Sequence, residues 1–314
     1  MEGAIQFLDL ELAETLIQKS TPPKYVIGRD LIKIHMMDSP LLDLEASRWA
    51  TFNRELRAFI CVKASASSLF SGPDPLQAHL SLCVFDDPQY VQPLLDRAVE
   101  VLRNRGIQKL IFGQDSLHIF PGCPVDHVAL MGFLEQNGFE SQSDQVDLER
   151  DMESYVVPEG VLTPLIEPYE ARPCGPDDLQ ALLTFFEAEF AGRWKFDITN
   201  KWNLEGPETV IGLFEGAICH GFALLQQDGC VLPIGGAVWK QALGPGWGSL
   251  GPIGISKSVR GKGLGDALLG KSLEILRDRG AKRSIIDWTT LIEFYGKHGF
   301  SPDRKYKALV KQLV

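Results

Sequence analysis

Two stretches of this chain hold residue types at spacings that do chemistry. In "SVRGKGLGDALLGKS", residues 258–272, Arg260, Gly261, Lys262, Gly263 and Gly265 form a basic, glycine-rich run, while residues 265–272 also spell the P-loop pattern G-x-x-x-x-G-K-S. Both patterns bind phosphate through backbone amides, but a P-loop must lie between a strand end and a helix start. In "SIIDWTTLIEFYGKHGF", residues 284–300, the carboxylate of Asp287 and the phenol of Tyr295 are a candidate base and acid.

The elements around the first stretch decide between its two spellings. "SLGPIGIS", ending at Ser256, reads as a strand, and Leu264, Leu268, Leu269, Leu273 and Leu276 recur at helical spacing up to Gly280. The helix therefore begins near Leu264, and the P-loop spelling falls inside it. The turn before it, Arg260 to Gly265, is left as an anion site made of amides, a helix N-terminus and two cations. Upstream, "DDLQALLTFFEAEF" has one apolar helical face that Asp177 or Asp178 can cap, and "ETVIGLFEG" and "AICHGFALLQQ" read as strands. "RSIIDW" is a buried strand, "TLIEFYGKHGF" a short helix and "YKALVKQLV" a closing strand, so a right-handed crossover with a parallel pair at its centre is expected.

The chain contains a repeat. "LLDRAVEVLRNRGIQKLIF", residues 94–112, aligns without gaps on "LLGKSLEILRDRGAKRSII", residues 268–286, and "FLEQNGF", 133–139, echoes "FYGKHGF", 294–300. The copies differ at the chemistry: "FDDPQYV", residues 85–91, stands opposite "VRGKGLG", and Leu134 stands opposite Tyr295. Two carboxylates and a proline cannot cradle a pyrophosphate. The proline- and glycine-punctuated segment 152–178 suggests a boundary near residue 165, giving domains 1–164 and 165–314.

With 45% apolar and 23% charged residues, the 314-residue chain can bury two ordinary cores, and its net charge of −10 argues against nucleic acid or anionic membrane partners. The N-terminus lacks the basic start of a signal peptide and no stretch is apolar enough to span a bilayer, so a cytoplasmic protein is expected. The cysteines, Cys61, Cys83, Cys123, Cys174, Cys219 and Cys230, are scattered and read mostly as buried thiols.

On these residues the C-terminal half resembles the acetyl-CoA site of the GCN5-related N-acetyltransferase (GNAT) superfamily, and the N-terminal half looks like a degenerate copy, as in tandem acetyltransferases. The resemblance implies two tandem α/β domains, each a mixed sheet with splayed central parallel strands flanked by helices. It implies acetyl-CoA as co-substrate and no metal. The pantetheine arm would add to Ile253, Gly254 and Ile255, the pyrophosphate would take the amides of Gly261, Lys262, Gly263, Leu264 and Gly265 beside Arg260, and an N–H near Ile255 would serve as oxyanion donor. Tyr295 matches the family's general acid. Asp287 reads as base, as partner of a cationic substrate, or as a helix cap, and Trp288 stands where many relatives have asparagine.

The acceptor expected is a small-molecule primary amine: an amino sugar, an aminoglycoside, a polyamine or a peptide amine. Trp239, Trp247 and Trp288 are candidates for its pocket wall. Asp115, His118, Cys123, Asp126 and His127 gather metal-ligand types at non-standard spacing, better read as a packed loop. The two halves are expected to form an intrachain pseudo-dimer, as a monomer, or else the chain is a homodimer. A non-catalytic acyl-CoA sensor and a P-loop nucleotidase are the competing readings.

Overall fold

Alternating apolar runs and leucine-faced segments produce a mixed α/β fold in the computed structural model, which describes residues 1–64 and 76–313. The chain divides into two compact units. Among the described residues, the first comprises 1–64, 76–145 and 304–313, and the second comprises 146–303.

In the first unit, chain order runs β1 (Glu2–Ala4), α1 (Leu10–Ser20), α2 (Arg29–Ile32), β2 (Arg48–Phe52), β3 (Glu55–Ala64), β4 (Gln77–Phe85), α3 (Pro88–Asn104), β5 (Lys109–Phe112), β6 (Cys123–Pro124) and α4 (Val128–Gln136). β1 to β4 are antiparallel neighbours, and β4 pairs in parallel with β5 from Gln77↔Lys109 to Leu80↔Phe112. β7 (Glu140–Asp151) leaves this unit at Val146.

The second unit continues with β8 (Tyr169–Pro173), α5 (Leu179–Glu189), α6 (Arg193–Glu205), β9 (Val210–Glu215), β10 (Ile218–Gln227), α7 (Lys240–Leu243), β11 (Trp247–Ile255), α8 (Leu264–Asp278), β12 (Arg283–Thr289), α9 (Ile292–Gly296) and β13 (Ser301–Gln312). β8 to β11 are antiparallel, β11 and β12 are parallel, and β7 lies antiparallel to β12. The expected crossover from β11 through α8 to β12 is present. Its leucines, Leu264, Leu268, Leu269, Leu273 and Leu276, are all at most 1% exposed and pack with Leu213, Leu250, Ile286 and Tyr295. Burial of each such side chain stabilises by about 1.5–3 kcal/mol, more than any helix propensity in the segment.

The two units exchange their closing strands relative to chain order. Residues 146–164 pack in the second unit, where Val146 to Asp151 pair with β12. Arg304 onward packs in the first, where β13 pairs antiparallel with β5. The expected closing strand is thus formed, but its partners lie in the other half of the sequence; Val314 lies outside the described residues.

Among the described residues no helix is long and apolar enough to cross a membrane. All six cysteines are free thiols and only Cys230 is half-buried; burial pushes Cys61 and Cys174 up to about 12.

Candidate active site

The strand–turn–helix at residues 247–278 is built for an anion. β11 pairs with β12 only from Trp247↔Arg283 to Ser249↔Ile285, although both strands run on, so among the described residues the edge of β11 that faced β12 is open from Leu250. Its other edge stays paired with β10 through Ile253↔Ala223, Gly254↔Phe222 and Ile255↔Gly221. An extended ligand arm can add to such an edge as a peptide adds to a sheet.

After Ser256, a short 3-10 turn at Lys257–Val259 leads to Arg260. Glu189, at the end of α5, fastens the start of this turn: its Oε1 accepts the Ser256 hydroxyl at 2.6 Å and the Lys257 N–H at 3.2 Å. The Ser256 hydrogen bond, with the Lys257 amide and the positive charges of Lys257 and Arg260, holds the Glu189 carboxyl below its ordinary range. Gly261 and Gly263 both have φ +78°, a left-handed conformation that costs other residues roughly 1–2 kcal/mol. Gly263 is the N-cap of α8 and supplies no side-chain cap. The first amides of the helix are therefore not capped by a side chain of Gly263, the arrangement in which a helix N-terminus can take an anion. Arg260 and Lys262 are exposed beside it; the Arg260 guanidinium donates to Ile255 O at 3.4 Å and Lys262 Nζ lies 5.7 Å from the Tyr169 ring centre.

Residues 265–272 lie within α8, where Lys271 pairs with Glu274 at 2.7 Å. The P-loop spelling is thus a helix, as its leucine spacing requires, and its amides serve the helix rather than a nucleotide.

Asp287 lies on β12 beyond its last pairing with β11, and Tyr295 lies on α9 just after that strand, near enough for the Asp287 charge to act on its phenol. Asp287 Oδ1 sits between two glycines, 2.6 Å from where a Cβ of Gly235 would lie and 3.4 Å from that of Gly251. Tyr295 is 6% exposed and packs against Phe294 and Phe300. Burial raises its phenol well above the ordinary range, and the charge of Asp287 raises it further. Both effects favour the protonated phenol.

Trp288 adopts a left-handed backbone with φ +46°, and Arg193 stacks on its ring at 4.2 Å from the centroid. One face of that indole is thereby covered. Trp239 is 1% exposed and donates its indole N–H to Asp147 Oδ2 at 3.1 Å, so it supports the site from within the core. Trp247, 5% exposed, begins β11 opposite Arg283, at the end of the strand away from Asp287. The structure does not bring it to the site. The aromatic wall over β11 comes instead from residues the sequence did not single out: a Cβ on Gly254 would meet Phe190 Cζ at 2.8 Å and Trp194 Cζ3 at 3.2 Å. The 3-10 turn Gly235–Trp239, whose first residue abuts Asp287, was equally silent in sequence.

The metal-ligand types of the first unit are otherwise engaged. Asp115 pairs with the buried Lys63 at 2.5 Å, Asp126 pairs with Lys24 at 2.8 Å, and burial raises the Cys123 thiol. Among the described residues, no three His, Cys, Asp or Glu side chains converge as metal ligands.

Residues 179–300, which carry the turn, Asp287 and Tyr295, match the family model for the acetyltransferase (GNAT) family. No curated protein matches the chain significantly. Among solved structures, the chain is similar to the GCN5-related glucosamine N-acetyltransferase region of a fungal multi-domain GH3 β-N-acetylglucosaminidase, with TM-score 0.85 and 18% identity over 99% of this chain. It spans only 38% of that longer protein. It is also similar to a GCN5-related N-acetyltransferase from Sphaerobacter thermophilus, at TM-score 0.69 and 16% identity, covering 100% of this chain and 95% of that one. A tandem GNAT protein from the clavulanic acid biosynthesis pathway matches at TM-score 0.67 and 12% identity, covering 100% and 98%. At these identities the structures speak for the fold, and the family model speaks for the site-bearing stretch. Residues 179–300 are thus similar to the acetyltransferase (GNAT) family, and the chain as a whole has the fold seen in tandem GNAT proteins.

Proposed function

We propose that the second unit transfers an acetyl group from acetyl-CoA to a primary amine of a small molecule, by direct attack in a ternary complex. The observation that carries this reading is the start of α8 without a side-chain cap, with left-handed Gly261 and Gly263, next to an edge of β11 that has no strand partner beyond Ser249 among the described residues. Those features fit a diphosphate and an extended arm on one ligand. Arg260, Lys262 and the amides from Gly261 to Gly265 would hold the diphosphate, and the backbone of Ile253 to Ile255 would hold the arm and offer an oxyanion donor. The thioester supplies the activated acyl carbon and a thiol leaving group.

An alkylamine is mostly protonated at neutral pH, with a pKa of about 10, so it must lose a proton before attack. Asp287 accepts that proton or receives it through water. As the C–S bond breaks, Tyr295 donates its proton to the departing sulfur, and the second proton that the nitrogen loses on becoming an amide returns, through water, to the Tyr295 phenolate. The two steps are coupled, because the charge of Asp287 helps hold the phenol's proton. Once Asp287 is neutralised by the amine proton, that restraint is lifted and Tyr295 becomes the stronger acid when the thiolate forms.

For the acceptor, an amino sugar is our first choice among amino sugars, aminoglycosides, polyamines and peptide amines. It is favoured by the likeness to the glucosamine N-acetyltransferase region, and the carboxylate of Asp287 suits an ammonium group. The test is thiol release from acetyl-CoA with glucosamine, a polyamine and a peptide amine, with the product identified by mass. Acetylated amine is expected. Acetyl-CoA binding with no release under any acceptor would replace the enzyme with an acyl-CoA-binding module.

A further inference from the structure

We infer that Asp147 is a positioning residue for the active site: its carboxylate holds the β12 bulge that aims Asp287. This rests on the reading of Asp287 as the group that meets the amine.

The register of β12 carries the argument. Ile286 pairs with Leu148 and Thr289 with Val146, so two residues, Asp287 and Trp288, stand opposite one, Asp147. That is a β-bulge, which bends a strand and redirects side chains. Trp288 meets the bulge with φ +46°, a conformation unfavourable for a bulky residue unless its surroundings impose it. The imposing group is Asp147. Asp147 is 0% exposed, its Oδ1 accepts the Trp288 backbone N–H at 2.9 Å, and its Oδ2 accepts the Trp239 indole N–H at 3.1 Å.

These two bonds fix both sides of Asp287. One fastens the next residue in the bulge. The other fastens the far end of the 3-10 turn Gly235–Trp239, whose first residue lies against Asp287 Oδ1. Hydrogen bonds are stronger in a buried, low-dielectric setting, so two of them to one side chain can outweigh the backbone strain of one left-handed residue. Asp147 touches no reacting atom. It belongs to β7, so the half of the sequence without the phosphate turn supplies this part of the site.

The test uses the full chain with 15N-labelled tryptophan, as Asp147→Asn, Asp147→Ala and Asp287→Asn. Asparagine keeps the size but only one acceptor oxygen. Expected are movement of the Trp288 backbone and Trp239 indole N–H resonances, a kcat lowered roughly tenfold in Asp147→Asn and up to about a hundredfold in Asp147→Ala, and an acetyl-CoA Kd changed less than about twofold. Unmoved resonances overturn the proposal. So does an unchanged kcat in folded Asp147→Ala when Asp287→Asn lowers it. If Asp287→Asn leaves kcat intact, the role of Asp287 is what fails, and the resonances alone decide whether Asp147 holds the bulge.

Discussion

The two units contain the same strand–turn–helix, and the start of the helix separates them. In the first, Asp87 caps α3 by accepting the Gln89 N–H at 2.9 Å, and Asp86 is clamped by Arg57 at 2.9 Å and Lys19 at 3.0 Å. Arg57 and Lys19 hold the Asp86 carboxyl below its ordinary range despite partial burial. In the second, Gly263 caps α8 with no side chain, and Arg260 and Lys262 stand exposed. Both parallel pairs are short: the first ends at Leu80↔Phe112, where β5 itself ends, and the second at Ser249↔Ile285, beyond which β11 and β12 both run on. A parallel pair joined through a helix is therefore common to both scaffolds, and under the proposed function the occupant of the helix N-terminus decides which one takes a diphosphate. A chain carboxylate caps one helix, and the other has no side-chain cap, which is where the proposed function puts its ligand.

The comparison extends to catalysis at Tyr295, which stands opposite Leu134. Tyr295→Phe should lower kcat by about 10²-fold or more while leaving acetyl-CoA affinity nearly unchanged, measured as thiol release against calorimetric binding. An unchanged kcat would reduce Tyr295 to packing, like Leu134. Because burial and Asp287 raise the Tyr295 phenol, its ionisation should not depress kcat between about pH 8 and 9.5. An alkaline loss in that window that disappears in Tyr295→Phe would contradict the raised phenol.

Smaller effects sharpen the difference between the helix starts. Arg260→Glu should weaken acetyl-CoA binding roughly tenfold, more at low salt than at high salt. Asp87→Ala should cost about 1 kcal/mol in denaturant unfolding and leave acetyl-CoA binding alone. Smallest of all, Lys271→Ala removes one surface pair on α8 and should shift stability by no more than about 0.5 kcal/mol, with binding unchanged. A large loss of binding there would revive the P-loop.

What was legible in the sequence is local. The turn glycines, the leucine face of α8, the strand of Ile285 and Ile286, and Tyr295 lie in one continuous stretch whose spacing states its own geometry. The repeat identified the capped copy because Asp86 and Asp87 replace cation and glycine in register. Long-range pairing was not legible. The join of Val146–Asp151 to β12, and of β13 to β5, depends on partners more than a hundred residues apart in the chain, and nothing in "SQSDQVDLERD" marks Asp147 as the residue opposite a bulge. Tryptophan type likewise failed to say which end of a strand a side chain occupies. Trp247 lies at the closed end and Trp239 inside the core, while Phe190 and Trp194 cover the open strand because α6 follows α5 after a short turn.

The central claim is that one of the two helix starts binds acetyl-CoA and the other cannot. Calorimetric titration of acetyl-CoA into the full chain tests it directly, with Arg260→Glu titrated alongside. The account predicts one site per chain, weakened in Arg260→Glu. Two sites per chain, no binding, or binding indifferent to Arg260 would contradict it.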